Sequence, residues 1–100
     1  MDNYQIELLP RALRDLDNIY AYIARTFLEP GTALRLVEAI EHEILSLETM
    51  PDRYPERKIG AYAGKGYRQL FVRNYTVIYR VDRKEKVVTV VTVRYSPSQF

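Results

Sequence analysis

Apolar and polar positions alternate at the start of the chain, shift to a helical period through its middle, and alternate again at its end. Tyr4-Gln5-Ile6-Glu7-Leu8 alternates strictly, the pattern of a half-buried strand. Pro10 follows at a position where a helix can begin, because a proline lacks only an N–H that the first turn leaves unpaired anyway. Leu13, Leu16, Tyr20, Ile23 and Phe27 then recur at steps of three and four, which predicts a helix over 10–27 with these residues on its buried stripe. Pro30-Gly31 reads as the break after it. Thr32 reads as the N-cap of a second helix. Val37, Ile40, Ile44 and Leu47 give that helix its apolar face, and Pro51 predicts its end near Met50. The connection is short, so the two helices are expected to pack as an antiparallel hairpin.

Residues 51–66 hold two prolines and three glycines and read as a long loop. Three strand patterns complete the chain: 67–72, 75–81 and 86–95, joined by a tight turn at Arg73-Asn74 and a charged one at 82–85. The run from Val87 to Val93 is almost continuously β-branched, the pattern of a central strand buried on both faces. The expected fold class is α+β in the order β-α-α-β-β-β. The N-terminal strand and helical hairpin would pack on one face of a small, mainly antiparallel twisted sheet, within a single domain over 1–100.

Charge changes this picture more than composition does. Residues 1–50 carry four basic side chains against nine acidic ones, a net of −5. Residues 51–100 carry eleven against four, a net of +7, and hold six of the nine tyrosines. Basic residues interleaved with aromatics suit a polyanion, with guanidinium and ammonium groups on phosphates and rings under bases. The same residues also suit an ordinary sheet edge, where tyrosine is a good strand former and cations discourage aggregation. The absence of cysteine excludes disulfides, thiolate metal sites and thiol nucleophiles, and fits a reducing, cytoplasmic setting. No apolar run is long enough to span a bilayer, and Met1 to Gln5 do not form the basic-then-apolar start of a signal peptide.

Candidate chemistry is sparse. His42, the one histidine, lies between Glu41 and Glu43 without a histidine four residues on, so it reads as a solvated helix residue rather than a metal ligand. The glycine-rich run 60–66 lacks the Gly-Lys-Ser/Thr ending that opens a helix and leads into a strand instead, so it is not a phosphate-binding loop. The remaining constellation is Arg68, Arg80, Arg94 and Tyr95 on the strands, with Lys58 and Lys65 from the loop. Strand alternation puts Arg68 with Leu70 and Val72, Arg80 with Ile78 and Thr76, and Arg94 with Thr92 and Val90, while Tyr95 points opposite to Arg94.

The stretch from Gly66 to Asp82 (GYRQLFVRNYTVIYRVD) and the ending from Val87 to Tyr95 (VVTVVTVRY) resemble the C-terminal half of RelE/ParE-type toxins of type II toxin–antitoxin pairs. The start from Tyr4 to Ala12, the helical hairpin, and Leu47-Glu48-Thr49-Met50-Pro51 at the end of the second helix are similar to the same family. The resemblance implies a cytoplasmic toxin neutralised by a small antitoxin whose tail wraps it, with no cofactor and no metal. It also implies one of two activities. RelE-like members cut mRNA on the ribosome without a metal, as a mRNA interferase; ParE-like members poison DNA gyrase. For RNA cleavage the expected catalytic residues are Arg68 and Arg94, holding the scissile phosphate, and Tyr95, acting at the 2′-hydroxyl or stacking on a base. Lys58, Lys65 and Arg80 are the expected RNA-binding residues. The sequence departs from the RelE-like pattern in three places. Ser96-Pro97-Ser98-Gln99-Phe100 stands where many relatives carry paired basic residues, the dense lysine cluster is missing, and Phe71 and Thr76 stand where those ribonucleases place arginine.

Overall fold

The computed structural model describes residues 3–97. It contains β1 (Gln5–Leu8), α1 (Pro10–Phe27), α2 (Pro30–Leu45), β2 (Arg68–Val72), β3 (Tyr75–Asp82) and β4 (Val87–Tyr95), with short 3-10 turns at Ser46–Glu48 and Pro51–Arg53. The four strands form one mixed sheet in the order β1-β4-β3-β2. β4 pairs with β1 in parallel and with β3 antiparallel, so the β-branched run lies in the interior of the sheet, as its composition predicts. The helical hairpin covers one face. Ala12, Leu16, Ile19, Ile40, Ile44 and Leu47 meet Leu70, Val72, Val77, Tyr79, Val88, Val90 and Val93 in a single core. No helix among the described residues is long and apolar enough to cross a membrane.

Four local expectations change. The buried stripe of α1 is rotated from the one the largest side chains suggest: Ala12, Leu16 and Ile19 are buried, whereas Leu13, Tyr20 and Phe27 are 52%, 38% and 59% exposed. Ala12 is fully buried in the core, a small residue that an apolar count passes over. The hairpin turns at Leu28, which adopts a left-handed conformation with φ 53°, and Pro30 occupies the first turn of α2 rather than ending α1. Thr32 lies inside α2, its hydroxyl donating to the Glu29 carboxylate at 2.9 Å, and Glu29 is the capping residue. The α-helical part of α2 also stops at Leu45, and a 3-10 turn carries the chain toward Pro51.

The 51–66 segment is tied at its start. Pro51–Arg53 forms a 3-10 turn, and Glu56 bridges Arg68 beside the outer edge of β2. The Arg57 N–H donates to the Tyr67 carbonyl at 2.7 Å and the Gln69 N–H to the Pro55 carbonyl at 3.0 Å. The sheet is therefore longer at that edge than strand patterning alone indicates.

β3 and β4 carry a β-bulge between Ile78 and Tyr79, where the partner changes from Thr92 to Val90. The extra residue turns the strand by one position. Arg94, opposite Thr76, is consequently on the other face from Val90, which lies opposite Tyr79 in the core; the expected grouping of Arg94 with Val90 is lost. Ser98, Gln99 and Phe100 of the C-terminal departure, and Met1 and Asp2, lie outside the described residues.

Candidate functional site: an aromatic and arginine cleft beside β4

The six residues singled out by sequence do not converge. Arg68 lies opposite Tyr79 at the start of β2, on the face that carries Leu70 and Val72 toward the helices. Its guanidinium donates to the Tyr54 carbonyl at 2.6 Å. Arg94 lies opposite Thr76, which in turn lies opposite Phe71, on the face away from the helices. Three residue steps and two strand spacings separate the two arginines, about 10 Å in each direction by strand geometry. Tyr95 pairs with Tyr75 on the helix side, its ring in an edge contact at 5.7 Å, one row further again from Arg68. Arg80 is exposed opposite Thr89, which is paired on its other side with Glu7. Lys58 and Lys65 are exposed on the 54–67 connection. His42 is exposed on α2.

Arg68 belongs instead to a framework that fixes the turn after α2. The Tyr79 hydroxyl donates to the Pro51 carbonyl at 2.5 Å, and Tyr79 is fully buried. Burial pushes its phenol pKa up to about 12, although the nearby Arg68 and Arg53 pull the other way. Arg53 donates to the Thr49 carbonyl at 2.6 Å and the Met50 carbonyl at 3.1 Å, closing the end of the helical segment around Met50, which is left-handed at φ 48°. Arg83 and Asp52 form an exposed ion pair at 2.7 Å, and the guanidinium holds the Asp52 carboxyl below its ordinary range. Arg57, which sequence reading passed over beside Lys58, is 6% exposed and donates to Gln69 at 2.9 Å and to the Ile59 carbonyl at 3.1 Å.

A cleft of about 650 Å³ opens between α1 and the end of β4. Ile19, Ile23, Leu36 and Val93 contribute apolar side chains to it, and Tyr22, Phe27, Tyr75 and Tyr95 supply aromatic surface. Arg73, Asn74 and Arg94 lie at one end and Asp15 and Asn18 along α1. The Tyr75 phenol is pushed up chiefly by burial and then by the neighbouring Tyr95 and Tyr22 phenols, which places three tyrosines in one electrostatic neighbourhood. Arg73 sits in the β2–β3 turn at φ 55°, a left-handed conformation that costs a side-chain-bearing residue roughly 1–2 kcal/mol. Asp15 crosses from α1 to β4. One of its carboxylate oxygens accepts the Thr92 hydroxyl in a short hydrogen bond and the Val93 N–H at 3.0 Å.

Of the sequence-selected residues, only Arg94 and Tyr95 reach this cleft. Tyr22, Arg73, Tyr75 and Asp15, also in its lining, lie outside the constellation that strand alternation and charge indicate. Tyr22 carried a usable signal, being a large aromatic off the stripe of α1, and it is 59% exposed. The polar atoms around the cleft suit recognition: two cations, three phenols, and a carboxylate already engaged with the strand.

A strand, a helical hairpin and a three-stranded meander closing into one mixed sheet define the architecture of the small RelE/ParE-type toxins. The family model for the ParE toxin of the type II toxin–antitoxin system parDE matches residues 6–99, and the chain belongs to that family. Among solved structures, the chain is similar to a chromosomal ParDE toxin–antitoxin system from P. aeruginosa at 20% identity and a TM-score of 0.76, covering 92% of this chain and 95% of that one. A RelBE toxin–antitoxin complex from Mycobacterium tuberculosis aligns at 21% identity and a TM-score of 0.69, covering 95% and 93%. An archaeal RelE–RelB complex from Pyrococcus horikoshii aligns at 16% identity and a TM-score of 0.63, covering 94% and 96%. No curated protein matches the sequence. By that family it is a toxin of the type II toxin–antitoxin class.

Proposed function

We propose that this toxin arrests growth by binding and poisoning DNA gyrase, without cutting RNA itself. The observation that carries the reading is the separation of Arg68 from Arg94 and Tyr95. Metal-free cleavage of RNA needs a base near the 2′-hydroxyl, cations around one in-line phosphate, and an acid at the leaving oxygen, all within reach of a single phosphodiester. Arg94 leaves its strand on the opposite face from Arg68, about 10 Å away both along and across the strands; its Nε donates to the Thr92 hydroxyl, and the Arg68 guanidinium already serves the Tyr54 carbonyl. Phe71 and Thr76, standing where RelE-like ribonucleases carry arginine, support the same reading, because Phe71, Thr76 and Arg94 form one row with a single cation. A tyrosine- and arginine-rich cleft is the composition of a protein-binding hot spot.

Inducible expression with primer extension on a reporter transcript tests this. The expected result is growth arrest with an SOS response and no ribosome-dependent cuts in the transcript. Cuts appearing within codons on the ribosome, without an SOS response, overturn it in favour of mRNA cleavage.

A further inference from the structure

The helical hairpin covers one face of the sheet, and the other face is covered only in part. Ile78, opposite Gln69 and Thr92, is fully buried, and the Arg57 guanidinium donates to the Gln69 side chain of the same row at 2.9 Å. The end of the sheet nearest the β3–β4 turn is different. There Ile6, Leu8, Tyr79, Val88 and Val90 pack into or against the core, so strand alternation sends their neighbours to the outer face. Register sets those neighbours in two rows, Gln5–Val87–Asp82 and Glu7–Thr89–Arg80, with β4 as the middle column. Val87 and Thr89 are half-buried, and the four flanking residues are exposed. A shallow depression of about 600 Å³ lies over this patch.

Charge is ordered across the patch. Glu7 and Arg80 stand on either side of Thr89, two strand spacings or about 10 Å apart. No ion pair engages either of them. Asp82, the other acid of the two rows, is already committed: its Oδ1 accepts the Lys84 and Glu85 N–H groups at 3.1 and 3.0 Å. The two uncommitted charges of the rows are therefore opposite in sign and equidistant from the middle column.

Such an arrangement is its own complement. A two-fold axis lying over β4 and parallel to it exchanges the flanking columns and keeps the rows. It sets Glu7 against the partner's Arg80, and Val87 and Thr89 against their own copies. Packed sheets cross at about 30°, which displaces a column one strand spacing from the axis by only about 2.4 Å, within the reach of an Arg–Glu pair. Other occupants fit less well. A nucleic acid or an anionic membrane would meet Glu7, Asp82 and Glu85 around the depression. A purely acidic or purely basic peptide would satisfy one flank and be repelled by the other.

We propose that the toxin self-associates through this patch, as a two-fold dimer in which each Glu7 pairs with the partner's Arg80 across the sheet face. The contact is small, so the dimer is weak and forms with rising concentration. The inference goes beyond the gyrase reading and is independent of it, because the patch lies at the opposite end of β4 from the cleft beside Tyr95.

Sedimentation velocity on the full chain, from micromolar to millimolar concentration at low salt, reads the association. The expected result is a rise from the 11.8 kDa chain toward twice that mass, reversed by added salt. Glu7→Arg and Arg80→Glu should each weaken self-association about tenfold or more, because each sets like charges against one another. Mixed in equal amounts, the two variants should associate again as the wild type does, because the mixed pair restores opposite charges at both contacts. The doubly substituted chain, Glu7→Arg with Arg80→Glu, should do the same by itself. Recovery on mixing is a result that misfolded variants could not give. A chain that stays monomeric at millimolar concentration, single variants that associate like the wild type, or a mixture and a double variant that both fail to recover overturn the proposal.

Discussion

Arg68 and Tyr54 are joined by a 2.6 Å hydrogen bond from guanidinium to backbone carbonyl. Tyr79, paired with Arg68 across the sheet, reaches the Pro51 carbonyl of the same turn at 2.5 Å. Two side chains from adjacent strands thus fix residues 51–54 against the end of the sheet. The arginine that most resembles a catalytic group by position in the sequence works here as a clasp.

Arg68→Ala is therefore expected to destabilise the fold by about 1–3 kcal/mol, the cost of leaving a carbonyl without its charged donor. Urea denaturation measures it. Toxicity should fall in step with stability and return at lower growth temperature. A variant of unchanged stability that has lost all toxicity would instead give Arg68 a direct role at the target.

Tyr79 gives a pH dependence with a definite sign. Its phenol pKa is about 12 in the folded chain against an ordinary value of 10.0, so the folded state keeps a proton that the unfolded state releases. The contribution is complete below pH 10 and is lost as pH rises through the folded value. The melting temperature should drop between these limits. Tyr79→Phe should flatten that drop while lowering stability near neutral pH by about 1–2 kcal/mol, because the Pro51 carbonyl loses its donor. Melting curves of both proteins across alkaline pH check the two effects together.

The rotated face of α1 can be checked with two truncations. Ile19→Ala removes a buried side chain of the core and should cost about 2–4 kcal/mol. Leu13→Ala removes one that is half exposed and should cost under about 1 kcal/mol. Chemical denaturation of the two variants separates this packing from the stripe that apolar size alone suggests.

The order of elements was legible because α1 carries a helical period and the run through β4 is almost continuously β-branched. The span Pro10–Phe27 and the interior position of β4 follow from pattern alone. Details decided by tertiary contact were not legible. Ala12 looks neutral in sequence and is fully buried in the core. The bulge beside Ile78 has no glycine or proline to announce it, and it moves Arg94 to the face opposite Val90. The cleft was half legible. Arg94 and Tyr95 were selected for charge and aromatic character, but Tyr22, Arg73 and Tyr75 join them only once β4 outruns β1 and α1 folds back beside it. Arg68 shows the converse: spacing along a strand gives the face of a residue but not which carbonyl its guanidinium will find.

The most direct measurement of the central claim is a supercoiling and cleavage-complex assay with purified DNA gyrase and the purified toxin, run beside a translating-ribosome assay on the same preparation. The account predicts accumulation of cleaved DNA held by gyrase, with intact transcripts on the ribosome. Intact supercoiling together with cut transcripts would contradict it.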